Sequence, residues 1–279
     1  MSSGQVRLGL IAGYGNLPLE IIRAAEKEGY EIACVALQGM AADNYKQFLR
    51  DVLYVSLGEL AKTIDFFISR NIRQIFFAGK IFKTELLGPS FQADKIAGSL
   101  LRSMKMRNDD AILLELVRLF SVHGIEVLDS TTFLKGLLPD EGCLTPMDLP
   151  AELKTDISFG YRMAKEIAGL DIGQTVVVKN SMVLAVEAIE GTDAAILRGG
   201  ELGKGAAVVV KVAKPDQDLR FDVPTVGLDT IEHCIRAKIS VLAFESCSTI
   251  LLDRESLLQK ASENGIHVVS LPPYESDKN

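Results

Sequence analysis

The segment AKPDQDLRFDVPTVG, positions 213–227, holds Lys214, Asp216, Gln217, Asp218, Arg220 and Asp222 within nine residues. In extended chain Arg220 and Asp222 point to one face while Phe221 points to the other. An arginine beside a carboxylate can grip a phosphate while the carboxylate binds a metal ion or orients water. A surface ion pair would contribute only about 0–1 kcal/mol. The charge density, running through Pro224-Thr225 into a helix start, fits a reaction centre better than decoration. Lys214, Gln217, Arg220 and Thr225 are therefore candidate substrate contacts, and Asp222 is the candidate catalytic group.

A second cluster lies in VEAIEGTDAAILRGG, 186–200, where Glu187, Glu190 and Asp193 surround Gly191-Thr192 at a strand-to-helix junction. Thr192 or Asp193 as an N-cap explains one polar residue there, but not Glu190. A hydroxyl and carboxylates on a glycine turn can hold a metal ion or a sugar, which makes Glu190 and Asp193 candidate metal ligands. Near the start, GLIAGYGNLP places Gly13 and Gly15 between a strand and a helix. Glycines there let a phosphate approach the backbone, and the helix N-terminus offers unpaired N–H groups. Asn16 is placed to cap that helix and Pro18 suits its first turn. The dinucleotide fingerprint is incomplete: Pro18 replaces its third glycine, and Gln38 stands where an acidic residue is required. That counts against a nicotinamide-dependent oxidoreductase; a tight turn without a ligand is the plainer alternative.

FAGK, 77–80, ends a predicted strand with Lys80, either a point charge for phosphate or a solvated lysine. LLRSMKMRNDD, 100–110, interleaves Arg102, Lys105 and Arg107 with Leu101, Met104 and Met106. This mixture suits lipid headgroups and acyl chains, or a half-buried helix with snorkelling cations. Asn108-Asp109-Asp110 would cap the next helix, although paired carboxylates can also hold a cation.

These residues need elements to position them. VRLGLIA (6–12), EIACVAL (31–37), DVLYVSL (51–57), RQIFFAG (73–79) and IEVL (125–128) read as strands. Between them, 17–29, 58–71 and 109–124 have helical periodicity. Such alternation predicts a Rossmann-like, mostly parallel sheet covered on both faces, over residues 1–136. The proline-containing stretch 137–150 is the best linker candidate. A C-terminal mixed α/β catalytic domain, 151–279, would follow, with a cleft between the domains. Its sequence QTVVVKNSMVLAVEAI predicts a hairpin centred on Lys179-Asn180-Ser181.

With 279 residues, 48% hydrophobic and 24% charged, the chain can bury large cores. A net charge of −7 argues against a nucleic-acid partner. Cys34, Cys143, Cys234 and Cys247 lack CxxC spacing and read as reduced, mostly buried thiols. His123, His233 and His267 add no zinc-ligand spacing. The opening MSSGQVRLGLIAG lacks a signal-peptide pattern, and no run reaches the roughly 20 apolar residues of a membrane span. A cytoplasmic protein is expected.

Taken together, GLIAGYGNLP, FAGK, DDAILL, LDIGQTVVVKN, LAVEAIEGTDAAILR and AKPDQDLRFDVPTVG resemble the LpxI-type UDP-2,3-diacylglucosamine pyrophosphatases of lipid A biosynthesis. The resemblance implies two α/β domains and cleavage of the substrate diphosphate to UMP and 2,3-diacylglucosamine 1-phosphate. It also implies a divalent cation, usually Mg²⁺, and a required aspartate in R-x-D-x-P-T-x-G, here Asp222. Two departures from the family pattern touch substrate contacts: Tyr14 between Gly13 and Gly15, and Asn108 in the basic run. The expected partners are the UDP-activated diacyl sugar, the inner face of the inner membrane bound peripherally, and a second copy in a homodimer as an option. A non-catalytic nucleotide-sugar or lipid-binding protein is the alternative, and it would not need Asp222.

Overall fold

The computed structural model describes residues 6–81, 91–103, 109–215, 217–218, 220 and 223–274. It divides into two compact units, Met1–Leu134 with Leu219–Phe221, and Lys135–Asp218 with Asp222–Asn279.

In the first unit, β1 (Arg7–Ala12), β2 (Glu31–Leu37), β3 (Asp51–Val55), β4 (Gln74–Ala78) and β5 (Glu126–Val127) form one sheet. All its pairings are parallel, in the order β3-β2-β1-β4-β5. Strands of such a sheet are buried on both faces, which explains near-continuous apolar runs such as EIACVAL in β2. The helices are α1 (Leu17–Lys27), α2 (Leu60–Ser69), α3 (Lys95–Ser103) and α4 (Asp109–Val122). Pro18, Ile21, Ile22 and Ala25 form the buried stripe of α1, at the spacing of one helical face. On one side of the sheet Phe120 of α4 packs edge-on against Phe67 of α2 and Phe77 of β4, with centroids 6.4 and 5.8 Å away.

Asp51 opens β3 and ties two arginines to it, Arg7 of β1 and Arg70 after α2. Burial pushes the Asp51 carboxyl up, but the bonds from Arg7 and Arg70 more than offset this and leave it below its ordinary 3.8. A depressed carboxylate contributes stability above its unfolded value, and loses it as pH falls through its folded value. Asp51→Asn should therefore lower the thermal midpoint most above about pH 5, with the gap from the unsubstituted protein closing at lower pH. A gap that stays constant with pH would assign it to something other than this charge.

The second unit contains β6 (Gly142–Cys143), α5 (Ala151–Gly169), β7 (Thr175–Lys179), β8 (Met182–Val186), α6 (Thr192–Gly203) and β9 (Val208–Lys211). Then come β10 (Thr225–Val226), α7 (Leu228–Arg236), β11 (Val241–Glu245), β12 (Ile250–Leu251), α8 (Arg254–Glu263) and β13 (His267–Leu271). The main sheet runs β6-β13-β11-β9-β7-β8, and β10 pairs separately with β12. β9, β11 and β13 are parallel, whereas β6, β7 and β8 pair antiparallel. Alternation along the valine runs feeds both faces: Val176, Val178, Val208 and Val210 join Ile157 and Ala164 of α5. Val177 and Val209 instead join Ile196 of α6, Ile231 of α7 and Leu257 of α8.

The expected hairpin is present, with Asn180 and Ser181 both at positive φ, 50° and 55°. Buried Asp156 of α5 fixes the turn, its carboxylate accepting the Asn180 and Ser181 N–H groups at 2.8 and 2.7 Å. Within 137–150, Gly142–Cys143 forms the edge strand β6, and the Thr145 hydroxyl accepts the Val268 N–H at 3.2 Å. The whole stretch read as a linker thus counts in the second unit. The cysteines are all free, but only Cys34 and Cys234 are buried; Cys143 and Cys247 are exposed, which corrects the expectation of mostly buried thiols. Burial pushes the Cys34 thiol up to about 12. Among the described residues no helix is long and apolar enough to cross a membrane.

Candidate functional site

The strand order of the first unit reverses between β1 and β4, and ligands of open parallel sheets bind beyond the carboxyl ends at such a point. The two loops leaving these strands are stitched together there. Tyr14 and Lys80 exchange N–H···O bonds, both 2.9 Å, and the Gly13 N–H donates to the Ala78 carbonyl at 2.8 Å. Only glycine fits either side of the stitch. A Cβ on Gly13 would lie 2.6 Å from the Lys80 carbonyl oxygen. One on Gly79, at φ +91°, would lie 2.7 Å from that of Tyr14. Gly15, at φ +101°, faces open space. Asn16 stands at the N-cap of α1 without a side-chain capping bond, contrary to the expectation; its carbonyl accepts from Leu19 and Glu20. Lys80 is exposed at this edge, and its ammonium has no hydrogen-bond or ion-pair partner among the described residues.

In the second unit the charged segment leaves β9 at the equivalent carboxyl edge. The Gln217 carbonyl oxygen Oε1 accepts the Lys214 N–H at 2.7 Å and the Gln174 Nε2 group at 3.1 Å, so it braces the loop. The Lys214 ammonium lies 2.7 Å from the Asp171 carboxylate. Thr225 enters β10, and its carbonyl accepts a 3.0 Å bond from Lys211 Nζ. Arg220 counts in the first unit, where the Ser130 hydroxyl shares its proton between the Phe77 and Arg220 carbonyls at 2.8 and 2.9 Å. Its side chain lines a cavity of about 950 Å³ with Arg7, Arg70, Arg73 and Glu126. Arg7 begins β1 and Glu126 begins β5, so this cavity lies at the amino edge of the sheet. Lys80 lies at the opposite, carboxyl edge, so the structure does not bring these two cations together. Asp216 and Asp222 lie outside the described residues, as do Met104, Lys105, Met106, Arg107 and Asn108.

At the start of α6 the N-cap is Gly191, at φ +85°, which corrects the expectation that Thr192 or Asp193 would cap it. Freed from capping, the Thr192 hydroxyl donates to Glu187 at 2.8 Å. Glu190 is bound by Arg198 at 2.6 Å. A bond from its own backbone N–H, and then Arg198, hold the Glu190 carboxyl below its ordinary range despite partial burial. Asp193 lies 3.7 Å from His233 Nδ1. One Glu187 oxygen, Oε2, is buried without a hydrogen-bond partner among the described residues. Carboxylate oxygens suit Mg²⁺ chemically. Yet no three His, Cys, Asp or Glu residues among those described gather to hold an ion. Glu190 would first have to leave Arg198. The described carboxylates by themselves therefore do not compose a cation site.

Sequence reasoning missed Glu245 and Lys165, a largely buried ion pair with N···O 3.0 Å beside the first residue of the charged loop. The signal was a glutamate ending the otherwise apolar strand VLAFE.

A family model described as the LpxI N-terminal domain matches residues 7–137, and one described as the LpxI C-terminal domain matches residues 140–269. The chain is 31% identical over 279 residues to UDP-2,3-diacylglucosamine pyrophosphatase LpxI of Caulobacter vibrioides, covering 96% of this chain and 99% of that protein. A crystal structure of a biotin carboxylase–β-γ-ATP complex from Campylobacter jejuni shares 12% identity over 71% of this chain. It is matched over 42% of its own length with a TM-score of 0.27, too low to carry an argument about fold or ligand.

Proposed function

The chain belongs to the LpxI family, and from that premise we propose that it is a UDP-2,3-diacylglucosamine pyrophosphatase of lipid A biosynthesis. Water adds to one phosphorus of the diphosphate as the bridging P–O bond breaks, giving UMP and 2,3-diacylglucosamine 1-phosphate. The observation that carries this reading is the full-length match to a relative of that name, with both family domains in order. Incubating the purified protein with UDP-2,3-diacylglucosamine and Mg²⁺, then following UMP by phosphorus NMR, tests it directly. Failure to release UMP would end the reading.

Roles within the chain follow from charge and placement. Cleaving a diphosphate needs negative charge neutralised and water aligned with the breaking bond. Asp222 is assigned to orient that water and accept its proton. Lys80 lies at the carboxyl edge where a phosphate can meet both its ammonium and the glycine turn of Gly13, Gly15 and Asn16. Lys214 is a further candidate for a phosphate oxygen and would have to exchange Asp171 for substrate. Arg220 is an alternative to Lys80, since the two lie at opposite edges of the sheet. Thr192, Gln217 and Thr225 complete the proposed contacts, the first as a hydroxyl that would have to exchange Glu187 for substrate, the other two chiefly as loop supports.

Lys80→Ala should raise KM about tenfold or more, the loss of one charge-assisted hydrogen bond, with an unchanged thermal midpoint because the side chain is exposed. An unaltered KM in the UMP assay would remove Lys80 from the site.

A divalent cation, Mg²⁺, is proposed as cofactor, with Asp222, Glu190 and Asp193 as its candidate ligands. It would supply charge neutralisation at the diphosphate. Chelation followed by readdition of Mg²⁺ is the check, and full activity in excess chelator would exclude the ion. Peripheral attachment at the inner membrane through the patch of Arg102, Lys105 and Arg107 is also proposed, because the substrate carries acyl chains. Vesicle flotation at low and high salt tests attachment, and sedimentation tests the homodimer. Scattering with and without lipid product tests for a cleft that closes.

A further inference from the structure

The charged loop starts at Ala213, and there a largely buried ion pair grasps its backbone from two sides. Glu245, the last residue of β11 and 6% exposed, accepts the Ala213 N–H through Oε2 at 3.0 Å. Its other oxygen, Oε1, accepts the Tyr274 N–H at 3.2 Å. Lys165 of α5 donates to the Ala213 carbonyl at 2.9 Å and to the two Glu245 oxygens at 3.3 and 3.0 Å. Both polar groups of one residue's backbone are thus bound by side chains from two other elements.

The surroundings extend this hold along the loop. Lys214 is fixed twice, by its N–H to Gln217 Oε1 and by its ammonium to Asp171. The far end is fastened by Lys211 Nζ on the Thr225 carbonyl and by the Ile250 N–H donating to the Pro224 carbonyl at 2.8 Å. Ile250 follows Glu245 by only five positions, so one short stretch after β11 touches both ends of the loop. Burying an ion pair is a poor way to stabilise a core, since apolar replacements of similar volume are often neutral or stabilising by about 1–4 kcal/mol. What apolar packing lacks is direction. Two hydrogen bonds of opposite polarity set where the two peptide units flanking Ala213 lie and which way they face.

We propose that Lys165 and Glu245 are positioning residues for the hydrolysis, holding the entry of the 213–227 loop in the one arrangement that turnover requires. The inference rests on the reading of that loop as the catalytic one. It places the pair's effect on kcat, since both side chains are spent on each other and on backbone groups.

The test uses the full chain with Lys165→Met/Glu245→Gln, which removes both charges yet leaves an acceptor near the Ala213 N–H. Glu245→Asp, which keeps the ion pair but withdraws the carboxylate by one methylene, is the second variant, and Lys165→Arg is the conservative control. We expect the first two to lower kcat by about 10–10²-fold, as small misplacements of a reacting group do, with KM within about threefold. Amide exchange in the peptide around 213–218 should quicken while the β9 amides stay protected, and Lys165→Arg should retain most of the turnover. A folded double variant, or a folded Glu245→Asp protein, with unsubstituted kcat would overturn the positioning role. An unsubstituted protein that releases no UMP would overturn the functional reading along with it, a result distinct from the first.

Discussion

Replacing Asp222 with alanine or asparagine is expected to slow UMP release by about 10²–10⁴-fold, the usual contribution of a group that moves a proton in the transition state. Substrate affinity should change far less, because uridine, sugar and acyl chains bind through other contacts. The two substitutions separate charge from shape. Asparagine keeps an acceptor oxygen at nearly the same place but can neither take a proton nor attract a cation. Similar losses for both would assign the effect to the negative charge; a mild loss for asparagine alone would assign it to water alignment. Steady-state rates at saturating Mg²⁺, with binding measured separately, decide the matter, and near-normal hydrolysis by Asp222→Ala would remove this residue from the chemistry.

The second large effect is expected at Gly79. An alanine there must adopt a φ of +91° and place its Cβ 2.7 Å from the Tyr14 carbonyl oxygen, which is backbone and cannot swing away. The positive φ costs roughly 1–2 kcal/mol and the overpacking roughly 1–3 kcal/mol. The sum is a loss of about 2–5 kcal/mol, or on the order of 10 °C in thermal midpoint. The Tyr14–Lys80 bridge should open, so residual activity should show a raised KM even well below the unfolding temperature. Gly15→Ala is the informative control. It shares the positive φ but meets nothing within 4 Å, so its stability loss should be clearly smaller. Equal losses at the two positions would show that the close approach contributes nothing.

How much of this could be read in the chain itself depends on the range of the interactions. The parallel sheet of the first unit was legible because strands buried on both faces must be apolar runs, and EIACVAL and RQIFFAG are such runs. The hairpin was legible because Lys179-Asn180-Ser181 interrupts two apolar, β-branched runs, and Asn180 tolerates the positive φ of a tight turn. Local chemistry with more than one solution was less legible. Gly191, Thr192 and Asp193 all suit a helix start, and the backbone chose the glycine at φ +85°. That choice released Thr192 to Glu187 and left Arg198 to take Glu190, a partner eight positions away across a turn. Least legible were pairings set by topology alone. Lys165 and Glu245 are 80 positions apart, and nothing in either neighbourhood names the other. The amino-edge placement of Arg220 belongs to the same class, since it follows from a return of the chain to the first unit at that residue.

That return has a consequence for taking the molecule apart. A gene cut after Leu134 does not separate two complete halves, because the earlier fragment lacks Arg220, whose carbonyl accepts the Ser130 hydroxyl. The later fragment keeps Arg220 stranded, without the serine that bonds its carbonyl. The two polypeptides are each other's missing parts, which favours co-expression over isolated modules.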